Sequence, residues 1–266
     1  MTNVQKRVLF IGAGRMAQAI IEGLVNKTEF AITVANKGNQ ERLEFVKNHY
    51  GVETTEHWVN HASEMDIIFL AMPPDAHASI LKELAEKIGG QLVMTVAAGI
   101  SPTYMESMLP DATPVVSVMP NTAAKQGESI TLYAPGQHVN QQHIQWIETL
   151  LSGIGEYEKV TEKQIEELTA ITGSAPAFIY KLAGVLEQMA LETGVTQQQA
   201  RKLVAQMIAG SAEMLKTNID TTELINQVAT PGGSTAAGLD SLDNNQFNTS
   251  IQQAIIACRK KAAAIK

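Results

Sequence analysis

The stretch RVLFIGAGRMAQAIIEGL, residues 7–24, decides the fold. Val8, Leu9, Phe10 and Ile11 make a continuous apolar run, the pattern of a strand buried on both faces of a parallel sheet. Gly12, Ala13, Gly14, Arg15, Met16 and Ala17 follow at once. Ile20, Ile21 and Leu24 then recur at helical spacing. Strand, GxGxxA turn and helix in that order form a dinucleotide-binding fingerprint. Gly12 permits the tight turn, Gly14 lets a pyrophosphate approach the helix N-terminus, and Ala17 keeps helix close to strand. Arg15 and Met16, at the mouth of that helix, belong to the same expected cofactor site.

A second strand, Ile32 to Ala35, ends in Asn36, Lys37, Gly38 and Asn39. An NAD site places an acid near this point to hold the ribose 2′-hydroxyl. None is present, and Lys37 is available to meet a 2′-phosphate. The expected cofactor is therefore NADP(H), read by Asn36 and Lys37, with NADH less favoured.

Outward from this unit, residues 66–71 (DIIFLA), 91–96 (QLVMTV) and 114–118 (PVVSV) read as buried strands separated by helical segments such as residues 76–88. Such alternation predicts an α/β fold with a doubly wound parallel sheet. Ligands collect at the carboxyl ends of strands in sheets of this kind. That puts Ala71, Met72 and Pro73, then Ala98 and Gly99, then Asn121 in position to face a cofactor. A further strand pair is expected at residues 130–133 and 156–159, with a helix at 141–151 between them. After Thr161 the strand signals vanish and good helix formers dominate. The expected domains are residues 1–160, a Rossmann-type unit, and residues 161–266, all helical. Leu182, Leu186 and Met189 share one helical face, as do Leu203, Met207 and Met214. Packing within one chain is the default reading of these stripes, and packing against a second chain is the alternative.

The helical part contains VATPGGSTAAGL, residues 228–239. Pro231 should stop the preceding helix near Thr230. Gly232 and Gly233 let the backbone bend and a ligand come close. Ser234 and Thr235 are residue types that cap a new helix, whose first N–H groups suit a carboxylate or phosphate. A plain linker between two helices is the competing reading.

Composition narrows the functions. A net charge of −7 and a pI near 5.4 argue against a nucleic-acid partner. The single cysteine, Cys258, leaves no intrachain disulfide and no cysteine cluster for a metal. The N-terminal apolar run is broken by glycines, so it reads as a strand and not a signal peptide, and no run approaches a membrane span. A soluble, cytoplasmic protein without membrane contact is expected. The six histidines, His49, His57, His61, His77, His138 and His143, are scattered through the first part of the chain and are each expected at the surface. With no GxSxG, HExxH or paired-cysteine pattern, hydride transfer remains, where a cofactor carries the chemistry.

At this level of detail the chain resembles the pyrroline-5-carboxylate reductase family. VLFIGAGRMAQAIIEGL is similar to its N-terminal fingerprint, and TVAAGIS and MPNTAA to its internal motifs. LTAITGSAPAFIY resembles its TALSGSGPAY segment, and LINQVATPGGSTAAGLDSLD its signature around SPGGTT. The resemblance implies a Rossmann domain followed by a helical domain that interlocks with its twin in a homodimer, with dimers in larger rings as an extension. It implies NADPH-dependent reduction of 1-pyrroline-5-carboxylate to L-proline, the last step of proline biosynthesis. Substrate would bind near the PGGST helix start at the dimer interface, facing the nicotinamide. Its carboxylate would lie on N–H groups of Gly233, Ser234 and Thr235, beside Gly232, and Ser174 would shape the pocket. The Thr235 hydroxyl would hydrogen-bond the ring nitrogen, which makes Thr235 the catalytic candidate.

The chain departs from the family pattern in three places. Lys-Pro is common where it reads Ala71-Met72-Pro73-Pro74, an arginine is common at Ser117, and Ala175 replaces the second glycine of GSGPA. The departures at Met72 and Ser117 keep a non-catalytic NADP-sensing paralogue as an alternative. A 3-hydroxyacid dehydrogenase of the same layout, with Lys181 as base, is another.

Overall fold

The structure, a computed structural model, describes residues 5–263. The outer ends of the two expected domains, residues 1–4 and 264–266, lie outside the described residues. The chain divides into two compact units: residues 1–173 with 259–266, and residues 174–258.

The first unit carries one eight-stranded sheet in the order β3-β2-β1-β4-β5-β6-β7-β8. Its strands are β1 (Lys6–Ile11), β2 (Phe30–Ala35), β3 (Glu53–Thr55), β4 (Ile67–Leu70), β5 (Leu92–Thr95), β6 (Val115–Met119), β7 (Ser129–Pro135) and β8 (Gly155–Lys159). Helices α1 (Arg15–Leu24), α2 (Gln40–Tyr50), α3 (His77–Ala85), α4 (Pro102–Met108) and α5 (Gln141–Leu151) connect them, and α6 (Glu162–Thr169) follows. Alternate side chains of β1 enter opposite cores, as the period of a strand requires. Val8 and Phe10 pack with Ile20, Ile21 and Leu24 of α1 and with Ile147 and Leu151 of α5. Leu9 and Ile11 pack with Leu81 and Leu84 of α3 and with Met105 of α4. Helices therefore cover both faces, and the expected doubly wound sheet is present.

The sheet differs from the expectation in three ways. β7 runs antiparallel to β6, pairing Val118 with Tyr133. The connection between them holds only a short 3₁₀ turn, Thr122–Gln126, and a parallel crossover needs a dozen or more residues. β7 and β8 are not a separate pair but the far edge of the same sheet. β3 escapes sequence reading because its three residues, Glu-Thr-Thr, carry no apolar signal.

The division between units falls at Gly173–Ser174, beyond the expected boundary near Val160. The cause is α6, whose Ile165 is buried with Leu132 and Ala134 of β7. α6 passes into a single π-helical turn, Ala170–Ser174.

The second unit is all helical: α7 (Pro176–Leu191), α8 (Gln197–Leu215), α9 (Thr221–Val228), α10 (Ser234–Asn244) and α11 (Phe247–Ala263), whose last turns count with the sheet unit. The default reading of its apolar stripes is overturned. α7, α9, α10 and α11 bury no residue, and Met189 and Leu203 are 56% and 59% exposed. One chain does not form a core from these faces.

Candidate active site

The fingerprint turn is built as its sequence requires. Gly12 has φ +107°, and a Cβ there would lie 2.6 Å from the Ala71 carbonyl oxygen. The glycine therefore lets the β1–α1 turn press against the chain leaving β4, where the Ala71 N–H donates to the Ile11 carbonyl. Gly14 has a different task. It is the N-cap of α1, with φ −70°, and a Cβ there would meet nothing closer than 3.9 Å. No side chain caps this helix, so its first N–H groups and its positive dipole end are available to an anion. Arg15 is exposed at that end, whereas Met16 packs partly against the core. These features fit the pyrophosphate of a dinucleotide. Asn36 accepts a hydrogen bond from the Ala13 N–H at 3.4 Å, which links the end of β2 to the turn. Lys37 is exposed beside it.

Three further segments leave the carboxyl ends of β4, β5 and β6. Met72 packs against the Leu70 core layer, and Pro73 is exposed. Ala98 and Gly99 line a cavity of about 370 Å³, together with Ser117 and Met119. Gly99 has φ +84° with open space where a Cβ would stand. Asn121 is more committed than its sequence context suggests. Its Oδ1 accepts from the Ala123 N–H, and its Nδ2 donates to the Thr172 carbonyl. The amide thus ties the loop after β6 to the turn at Ala170–Ser174, the structural role commoner for an Asn in a post-strand turn.

In the helical unit, Thr230-Pro231-Gly232-Gly233 form a tight turn closed by the Gly233 N–H donating to the Thr230 carbonyl at 2.9 Å. Pro231 and a left-handed Gly232, φ +74°, occupy the positions that favour proline and glycine in a type II turn. Gly233 then becomes the N-cap of α10, with no side-chain cap. Two expectations are corrected here. Ser234 and Thr235 do not cap the helix but form its first turn, with both side chains exposed. The Gly233 N–H is spent within the turn, so only the N–H groups that follow it stay open at this helix start. Ser174 lies half-buried at the end of the π-helical turn.

His77 overturns the expectation of surface histidines: it is fully buried. Its ring contacts the Pro73 carbonyl through Nδ1 at 3.1 Å and Thr95 Oγ1 through Nε2 at 2.9 Å. Burial pushes its pKa below the ordinary histidine range, against the pull of backbone carbonyls and Asp75. The signal was present in the sequence, because His77 lies on the helical face of Leu81 and Leu84. Among the described residues no group of histidine, cysteine, aspartate or glutamate side chains could hold a metal ion. No helix there is long and apolar enough to cross a membrane.

Comparison with known proteins gives this site its family. Residues 162–265 match the family described as pyrroline-5-carboxylate reductase dimerisation. Residues 7–99 match one described as NADP oxidoreductase, coenzyme F420-dependent. Pyrroline-5-carboxylate reductase 1 of Bacillus spizizenii is 36% identical, over 98% of this chain and 90% of its own length. The chain belongs to the pyrroline-5-carboxylate reductase family. The reductase of the same name from Bacillus subtilis is 35% identical over the same shares. Among solved structures, the pyrroline-5-carboxylate reductase of Coxiella burnetii superposes with a TM-score of 0.90, at 28% identity over 99% of each chain. The Plasmodium falciparum pyrroline carboxylate reductase, solved with NADP bound, gives 0.87 at 27% identity over 97% of each.

Two of the three departures from the pyrroline-5-carboxylate reductase pattern, Ser117 and Ala175, have a local account in the structure. Ser117 is buried, and its hydroxyl donates to the Ile100 carbonyl at 2.6 Å, tethering the loop that carries Ala98 and Gly99. Ala175 sits at φ −63°, an ordinary helical value that needs no glycine. Lys181, the base of the dehydrogenase alternative, is exposed on α7.

Proposed function

We propose that this protein reduces 1-pyrroline-5-carboxylate to L-proline with NADPH, the last step of proline biosynthesis, as a homodimer. The observation that carries the reading is full-length kinship with pyrroline-5-carboxylate reductases, in a chain that keeps an uncapped helix start on each unit. The α1 start, with Gly12, Gly14 and Arg15, would hold the pyrophosphate, and Asn36 and Lys37 would read the 2′-phosphate. Ala71, Met72, Pro73, Ala98 and Gly99 would border the remainder of the dinucleotide. Bound NADPH supplies the hydride that adds to the C=N carbon. The N–H groups of Ser234 and Thr235 would receive the substrate carboxylate, favoured by the dipole of α10. The Thr235 hydroxyl would hold the ring nitrogen while a proton reaches it from water, and Ser174 would shape the pocket. A protonated imine is already electrophilic, so orientation is the main contribution required of these residues.

The unpartnered apolar faces of α7 and α8 support the dimer, because contiguous exposed apolar surface of this kind marks an interaction site.

Steady-state oxidation of NADPH with a panel of cyclic imine acids tests the activity. Thr235→Ala should lower kcat more than it raises KM, with a loss in kcat/KM of roughly ten- to a hundredfold for one orienting hydrogen bond. NADPH affinity should be unchanged. Turnover like that of the unaltered protein in Thr235→Ala would reduce the α10 turn to a helix linker.

A further inference from the structure

The loops that follow β4 and β5 are separate in sequence, yet one buried ring joins them. The Pro73 carbonyl can only accept a hydrogen bond, so His77 Nδ1 carries the proton. In a neutral ring Nε2 is then an acceptor, and the Thr95 hydroxyl donates to it. The same Thr95 oxygen accepts from the Ala97 N–H at 3.1 Å. The result is a directed relay: Ala97 N–H to Thr95, Thr95 to His77, His77 to Pro73. His77 and Thr95 are both fully buried, and no buried polar side-chain atom among the described residues lacks a partner. Burial favours the neutral ring and outweighs the opposing pull of the Pro73 and Pro74 backbone and of Asp75.

Each end of the relay lies in a segment that would border the cofactor. Pro73 belongs to the chain leaving β4, whose Ala71 already lies against Gly12. Ala97 precedes Ala98 and Gly99. In a sheet of order β3-β2-β1-β4-β5-β6, β1 to β3 form one mononucleotide half and β4 to β6 the other. We propose that His77 is a positioning residue for the cofactor, a neutral strut that fixes the spacing of the two loops flanking its nicotinamide half. The inference rests on the NADPH reading of the preceding section. No hydrophobic side chain of similar size would do the same, because the buried Thr95 hydroxyl would lose its acceptor and the Pro73 carbonyl would keep only the Ala76 N–H, which cuts the link between the loops.

Titration of the intact protein with NADPH and, separately, with adenosine 2′,5′-bisphosphate tests this. The bisphosphate occupies only the adenosine half. His77→Leu and Thr95→Val should each weaken NADPH binding about tenfold, the scale of one buried hydrogen-bonded link. The double variant should lose less than the product of the two, because both cut the same relay. Bisphosphate affinity should stay within about twofold, and Thr95→Ser, which keeps the hydroxyl, should bind NADPH like the unaltered protein. Unchanged NADPH affinity in folded His77→Leu overturns the proposal, as does an equal loss for both ligands. If His77→Leu does not fold, the contrast of Thr95→Val with Thr95→Ser decides on the same criteria. Failure of the unaltered protein to bind either ligand would instead overturn the cofactor reading, and this inference with it.

Discussion

Gly12 and Gly14 belong to one motif, but the structure predicts opposite consequences for replacing them with alanine. At Gly12 a Cβ would lie 2.6 Å from the Ala71 oxygen and 2.8 Å from its carbonyl carbon, both backbone atoms that cannot swing aside. The backbone is also at φ +107°, which costs a non-glycine residue about 1–3 kcal/mol. Forcing the β1–α1 turn away from β4 adds about 1–3 kcal/mol of overpacking. Gly12→Ala should therefore lose about 2–6 kcal/mol, a large part of the roughly 5–15 kcal/mol that holds a domain folded. At Gly14 the backbone already suits alanine, and the nearest atom is 3.9 Å away. Gly14→Ala should keep or slightly raise stability, by about 0.4–1 kcal/mol, through a less flexible unfolded chain. Its methyl group would instead stand at the helix mouth, where the pyrophosphate must approach. Losing one or two charge-assisted hydrogen bonds at about 1.5–3 kcal/mol each weakens NADPH binding by at least about tenfold. Urea denaturation of the apoprotein and fluorescence titration with NADPH read the two effects separately. NADPH binding unimpaired in Gly14→Ala, or full stability in Gly12→Ala, would refute this division of labour.

Lys37→Glu should weaken NADPH binding about tenfold or more while NADH binding changes little, since only the former offers a 2′-phosphate to a cation. Equal losses in a paired titration would remove Lys37 as the reader. Analytical ultracentrifugation should find a dimer as the smallest active species, and Val185→Glu with Met207→Glu, both on exposed apolar faces, should shift it toward monomer. An active monomer of the unaltered chain would contradict this. Burial lowers the pKa of both His77 and His143 in the folded chain. The unfolded chain therefore takes up protons first, and their contribution to stability is complete above about pH 6.5 and lost as the pH falls through the lower folded values. Urea midpoints should drop on acidification from about pH 7.5 to about pH 5. His77→Leu should flatten part of that slope.

Much of this protein is settled within short windows of its sequence. Residues 7–24 determine a strand, a glycine turn and a helix because each depends on neighbours a few positions away. Thr230-Pro231-Gly232-Gly233 likewise determines its own turn, through the fixed φ of proline and the left-handed freedom of glycine. Kinship to the reductases is legible for the same reason, since its motifs are local. Tertiary structure decided what depends on residues distant in the chain. The direction of β7 follows from the room its connection has to cross the sheet. The partners of Asn121 lie at Ala123 and at Thr172, and only folding brings the second within reach. His77 could be placed on an inward helical face by its period, but its ring acquires a role only when β5 lays Thr95 beside it. The helical stripes beyond Ser174 show the limit most plainly. A period of 3.6 residues marks an apolar face, and the packed structure decides whether one chain covers it; here it does not, because these faces find too few apolar neighbours within the chain to be excluded from water.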